Sequence, residues 1–169
     1  GIYNVSVADH DNFTRTASSQ PMSIMAWVYY STSSIYQTIV AKYAGVQREY
    51  RLNVSSTGVL SFYVFDETNL QENEYKSSVS MSVGWNFVGI TFAGDGTQSG
   101  DCKIYINASL VAHTFVSTGA YVMMRNTTGV FSIGAQGSAE FFWKDKIDNV
   151  AFFQKVLSNA EISSLYTTG

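Results

Sequence analysis

The 169-residue chain has one cysteine, Cys102, which excludes an internal disulfide and a cysteine-based zinc knuckle. A buried, inert thiol on a strand is the reading of that residue. Charged side chains make up 14% of the chain, against roughly 25% in ordinary soluble domains, so solubility rests on hydroxyls and amides. The net charge is −3 and the ten Lys and Arg are scattered. No basic stripe exists to hold phosphates, which argues against nucleic acid as a partner. No apolar run reaches the roughly 18 residues of a membrane span, and the N-terminal stretch lacks a basic start followed by an apolar segment. Neither membrane insertion nor a signal peptide is therefore expected.

Catalytic patterns are also missing. No Glu-x-Asp-x-x-Glu strand is present to set two carboxylates on one face for glycoside hydrolysis. There is no Gly-x-Ser-x-Gly elbow, and His10 and His113 are isolated in sequence from nucleophiles. The sequence favours binding over catalysis, and no enzyme activity is expected. Five Asn-x-Ser/Thr sequons begin at Asn4, Asn12, Asn53, Asn107 and Asn126, a number read as a consequence of composition.

What is present is β-structure. Aromatic and β-branched residues recur in short runs bounded by Gly, Ser, Asn and Asp, and no repeat of 20 to 50 residues is evident. Strands are predicted at 22–30, 37–42, 49–54, 59–65, 85–92, 102–107, 110–115, 130–134 and 146–153. The acidic stretch 66–77 reads as a surface loop. Ser158 followed by Glu161 is a capping box for one short helix whose apolar face carries Ile162, Leu165 and Tyr166. The expected fold is all-β, a two-sheet antiparallel jelly-roll sandwich with one short C-terminal helix, in a single domain over 1–169.

Three ordered blocks carry a resemblance. They are Ser23-Ile24-Met25-Ala26-Trp27-Val28, then Gly84-Trp85-Asn86-Phe87-Val88-Gly89-Ile90-Thr91-Phe92 leading to Lys103-Ile104-Tyr105-Ile106-Asn107, and Lys146-Ile147-Asp148-Asn149-Val150-Ala151-Phe152-Phe153 running into the capped helix. Together they resemble the disulfide-free laminin-G-like domains of the concanavalin A-like lectin/glucanase superfamily, across nearly the whole chain. One departure is Ala108 where the family usually has Gly after the hairpin Asn or Asp, which leaves the turn type open. The resemblance sets Trp27 and Trp85 at core positions.

The resemblance implies calcium as a cofactor, bound where an N-terminal loop meets the closing strand. Asp148, with Asp9 or Asp11, would supply carboxylates; Asp95 and Asp101, bracketing a Gly-rich turn, are the other set. The bland alternative is that these residues cap turns and backbone amides.

Period-two geometry in the 49–65 hairpin sends Leu52, Val54, Leu60, Phe62 and Val64 to the core. Arg51, Asn53, Ser61, Tyr63 and Phe65 share the opposite face. Sugar recognition uses aromatic rings against C–H faces and planar polar groups against hydroxyls. The expected carbohydrate site is therefore Tyr63 stacking, Arg51 and Asn53 hydrogen bonding, and Trp143 approaching from the rim. Tyr43, Tyr50, Phe65, Tyr75, Phe141 and Phe142 also lie beside loops or on mixed faces, and some should be exposed.

The resulting expectation is a noncatalytic carbohydrate-binding module of a larger extracellular, cell-surface or virion-surface protein, with a glycan or glycoprotein as partner. The alternative is a structural or protein-recognition domain without a small ligand, such as a phage-tail, capsid-surface or adhesin module. Homo-oligomer formation through exposed aromatics would favour it.

Overall fold

The alternation read in the sequence closes into two antiparallel sheets, as shown by a computed structural model that describes residues 4–15, 20–32, 34–137 and 141–169. In chain order the strands are β1 (Val5–Val7), β2 (Met22–Tyr30), β3 (Gln37–Ala44), β4 (Gln47–Val54), β5 (Val59–Asp66), β6 (Gln71–Ser80) and β7 (Gly84–Phe92). They continue with β8 (Cys102–Ile106), β9 (Ser109–Val111), β10 (His113–Ser117), β11 (Phe131–Ile133) and β12 (Ile147–Phe153), before helix α1 (Asn159–Thr168). Seven strands in the order β1-β11-β3-β4-β5-β6-β10 face five in the order β12-β2-β7-β8-β9. Among the described residues no helix is long and apolar enough to cross a membrane.

Strand β2 lies inside the smaller sheet because both of its faces are apolar. Ile24, Ala26 and Val28 enter the core between the sheets, with Leu52, Val54, Leu60, Phe62 and Val64 opposite, all fully buried. Met25 and Trp27 point the other way, into a second cluster with Phe87, Tyr105, Leu157 and Ile162. Helix α1 covers part of that outer face. Ser158 caps it, its hydroxyl accepting from Glu161 N and its own N–H donating to Glu161 Oε2 at 2.8 Å. Gly89 is required where β7 crosses Met25, since a Cβ there would collide with the Ile24 carbonyl and the Met25 sulfur. Cys102 is buried and free.

Two local expectations change. The acidic stretch is mostly strand: Asn73, Tyr75 and Ser77 of β6 turn inward and are buried, while Glu72, Glu74 and Lys76 turn out. Polar residues on both faces concealed that alternation. The predicted strand 110–115 is two strands in different sheets, β9 pairing with β8 and β10 with β6, so the chain changes sheet at Ala112. The short, exposed β1 at the sheet edge had no sequence signal. The departure at Ala108 is accommodated because both Asn107 and Ala108 take left-handed conformations, φ 51° and 60°, as a two-residue type I′ hairpin turn requires.

Candidate functional site

The hairpin β4–β5 is in the predicted register. Arg51 pairs with Tyr63 and Asn53 with Ser61, and Tyr63 in turn pairs with Glu74. These side chains share the outer face of the seven-stranded sheet, opposite the core residues Leu52 and Phe62.

Arg51 and Tyr63 form the centre. The guanidinium carbon of Arg51 lies 4.3 Å from the Tyr63 ring centroid, 5.3 Å from Phe65 and 6.0 Å from Tyr43, within cation–π range of all three rings. Arg51 Nη1 donates to Gln136 Oε1 at 2.8 Å, while its Nε–H is buried without a partner. Tyr63 donates its hydroxyl to Glu74 Oε1 at 2.8 Å. Burial, then that carboxylate, pushes the Tyr63 phenol well above its ordinary pKa, so the ring stays neutral. Arg48 lies over Phe65 at 4.8 Å and pairs with Glu67. Tyr36 is 45% exposed.

The structure brings together Arg51 and Tyr63, both partly exposed, but revises two other expected contacts. Asn53 is 3% exposed and its Oδ1 has no partner, so it lies beneath the surface. Trp143 is 4% exposed and belongs to the main core. The cause is local: Phe141 O accepts from Thr38 N and Lys144 N donates to Gln37 Oε1, which turns Trp143 inward and Phe141 outward. Of the aromatics expected at loops, Tyr50, Phe65 and Tyr75 are fully buried, whereas Phe141 is 41% exposed. Trp85, assigned to the core by resemblance, is 46% exposed.

The carboxylates expected at a calcium site are dispersed. Asp9 Oδ1 is 2.6 Å from Lys42 Nζ, Asp11 accepts from the Asn126 amide, and Asp148 Oδ1 accepts from Asn149 N. The closing strand reaches the N-terminal loop through Gln154, which donates to Asn12 O; Asp148 is six residues earlier, roughly 20 Å along an extended chain. Among the described residues no three His, Cys, Asp or Glu side chains gather as a metal site. Asp95 and Asp101 cap amides of their own turn at Thr97, Gly96 and Gln98.

An ammonium occupies an oxygen cage. Lys42 Nζ, fully buried, meets Asp9 Oδ1, Glu49 Oε1 at 2.8 Å, Gly129 O at 3.0 Å and Thr127 O at 3.4 Å. His113, isolated in sequence, lies near Ser99. Its Nε2 is 3.0 Å from the Ser99 carbonyl and 3.3 Å from the hydroxyl.

A laminin-G-type family profile, described as the concanavalin A-like lectin/glucanases superfamily, matches residues 4–163. The chain belongs to this superfamily. Several solved structures are similar in fold. The receptor-binding domain of botulinum neurotoxin C/D mosaic serotype aligns with a TM-score of 0.67 at 18% identity, over 97% of this chain and 40% of that one. The chain thus spans two fifths of the toxin domain. The CBM40 of Ruminococcus gnavus IT-sialidase, bound to α2,3-sialyllactose, aligns with a TM-score of 0.64 at 16% identity, over 88% of this chain and 84% of that one. The botulinum neurotoxin serotype D ligand-binding domain in complex with N-acetylneuraminic acid gives 0.65 and 18%, over 97% and 39%. No protein of curated function matches the sequence. Glu74, Gln136 and Arg48 complete this arrangement and were not anticipated, whereas Tyr43 was among the aromatics expected beside loops or on mixed faces; Glu74 was legible once its segment is read as a strand paired with Tyr63.

Proposed function

We propose that this domain is a noncatalytic lectin-like module and that the Arg51–Tyr63 platform is its glycan-binding surface. The observation that carries the reading is the partly exposed Arg51 held against the Tyr63, Phe65 and Tyr43 rings on a rigid sheet. A planar cation so placed suits a carboxylate or a hydroxyl pair, and the partly exposed Tyr63 offers a face for sugar C–H groups. Glu74, partly exposed, supplies a further hydroxyl acceptor at the edge. The sialylated ligands of two similar structures support an acidic glycan. Such a module belongs on a secreted, cell-surface or virion protein, where repetition converts modest affinity into avidity.

An array of sialylated and neutral glycans, read with the wild type, Arg51→Ala and Tyr63→Ala, tests the reading. Retention of sialylated glycans that both substitutions abolish is expected. A wild type that retains no glycan, yet self-associates through this face, would replace it with the structural-module reading.

A further inference from the structure

The outer face of the five-stranded sheet carries an arrangement that the Arg51 platform does not use. Register sets Trp85 opposite Tyr29, Phe87 opposite Trp27, and Asp148 opposite Trp27 on the other side of β2. Period two then places all five side chains on one face, away from the core. Helix α1 covers part of it, with Tyr166 stacked on Trp27 at 5.4 Å.

Trp85 is left 46% exposed, and Tyr29 holds its ring edge-on at 5.7 Å and 86°. A large indole held rigidly in water forgoes apolar burial without a packing gain. Beside it β12 bulges between Asp148 and Ala151, with Asn149 in a left-handed conformation, φ 48°. Bulges and such conformations re-aim side chains next to functional sites. Asp148 and Asn149 are both exposed. With Trp27, Trp85 and Gly169 they line a hollow of about 230 Å³, adjoining one of about 310 Å³ that shares Trp27, Asn149 and Gly169. The Trp27 indole N–H in this wall is buried without a partner.

We propose that this hollow is a second, independent binding site for a neutral sugar. The apolar face of a pyranose ring stacks on Trp85, and two of its hydroxyls are taken by the Asp148 carboxylate and the Asn149 amide. The carboxylate repels acidic sugars, so selectivity is opposite to that of the Arg51 platform. Asp148 then acts as a hydroxyl acceptor. The proposal does not depend on the Arg51 reading.

The test is ¹H–¹⁵N NMR of the intact chain, following the Trp85 indole N–H resonance, assigned by its loss in Trp85→Phe. An array of neutral glycans identifies the tightest binder, which is then titrated alongside 3′-sialyllactose. Saturable movement of the Trp85 resonance with the neutral glycan is expected, together with a smaller response to 3′-sialyllactose. Asp148→Ala should weaken it about tenfold or more, as loss of a hydrogen bond to a charged group implies. Arg51→Ala should leave it unchanged, which separates this site from the other. Because Asp148 is exposed, the variant keeps its melting temperature. A Trp85 resonance that no neutral glycan moves overturns the proposal. So does movement that Asp148→Ala does not weaken or that Arg51→Ala abolishes.

Discussion

Lys42 Nζ lies 2.8 Å from Glu49 Oε1, and neither side chain reaches solvent. Glu49 Oε1 also accepts from Thr127 N at 3.0 Å and from the hydroxyls of Thr127 and Thr14, so one carboxylate oxygen ties the 127–129 segment and the N-terminal loop to β3 and β4. Burial pushes the Glu49 carboxyl up despite these donors. Removing one partner from such a pair strands the other charge. Lys42→Met should cost about 3–5 kcal/mol, while Lys42→Met combined with Glu49→Leu should recover much of it. Urea denaturation of both variants measures the difference; a double variant no more stable than the single one would show that the pair is not the unit.

Asp66 gathers loop backbone in the same way. Its Oδ1 accepts from Thr68 N, Asn69 N and Arg125 Nε, and its Oδ2 from Asn69 Nδ2 and Val122 N. Burial alone would raise its pKa, but the hydrogen bonds from Asn69, Val122 and Arg125 together hold it down at about 2. The folded state therefore binds this proton less readily than the unfolded chain. The stabilisation is complete above the ordinary carboxylate pKa and is lost as pH falls through about 2. Urea melts of wild type and Asp66→Asn should differ at pH 7 and converge toward pH 2. A gap that stays constant with pH would sink the assignment.

Ser158 and Glu161 fasten α1 over Met25 and Phe87. Ser158→Ala removes the side-chain acceptor for Glu161 N and should cost about 1 kcal/mol. Thermal denaturation should show a modest drop in melting temperature with the strand signal in circular dichroism retained.

The fold was legible because its main signals are local: two-faced apolar β2, the hairpin with Gly58 at φ 79°, and the Ser158–Glu161 capping box. The hairpin register also placed Arg51 beside Tyr63. Burial on the outer face was less legible, because it depends on what crosses the sheet. Asn53 and Phe65 alternate as exposed residues should, yet Phe65 is covered by Tyr43, Arg48 and Tyr63. Trp143 was misplaced for the converse reason. Its connection has no period, and backbone bonds from Thr38 and to Gly134 decide which of three adjacent aromatics turns inward. Lys42 alternates with the core residue Val40, but nothing in sequence marks Asp9, Glu49 and residues 127–129 as its partners.

Arg51 should separate binding from stability. Its guanidinium spends one hydrogen bond on Gln136 and leaves Nε–H desolvated and unpaired, a configuration that costs free energy in the folded state. Arg51→Met keeps an unbranched apolar stem against Tyr63 and Phe65 while removing the guanidinium. The melting temperature should stay within a few degrees of wild type or rise, and retention of sialylated glycans should be lost. Arg51→Lys keeps the charge but not the planar fork, so it should bind at least about tenfold more weakly than wild type. Melting curves and glycan retention measured on the same preparations decide the matter. A large fall in melting temperature for Arg51→Met would make Arg51 a structural cross-link between β4 and Gln136, and undiminished retention in Arg51→Lys would show that charge alone, without guanidinium geometry, recognises the ligand.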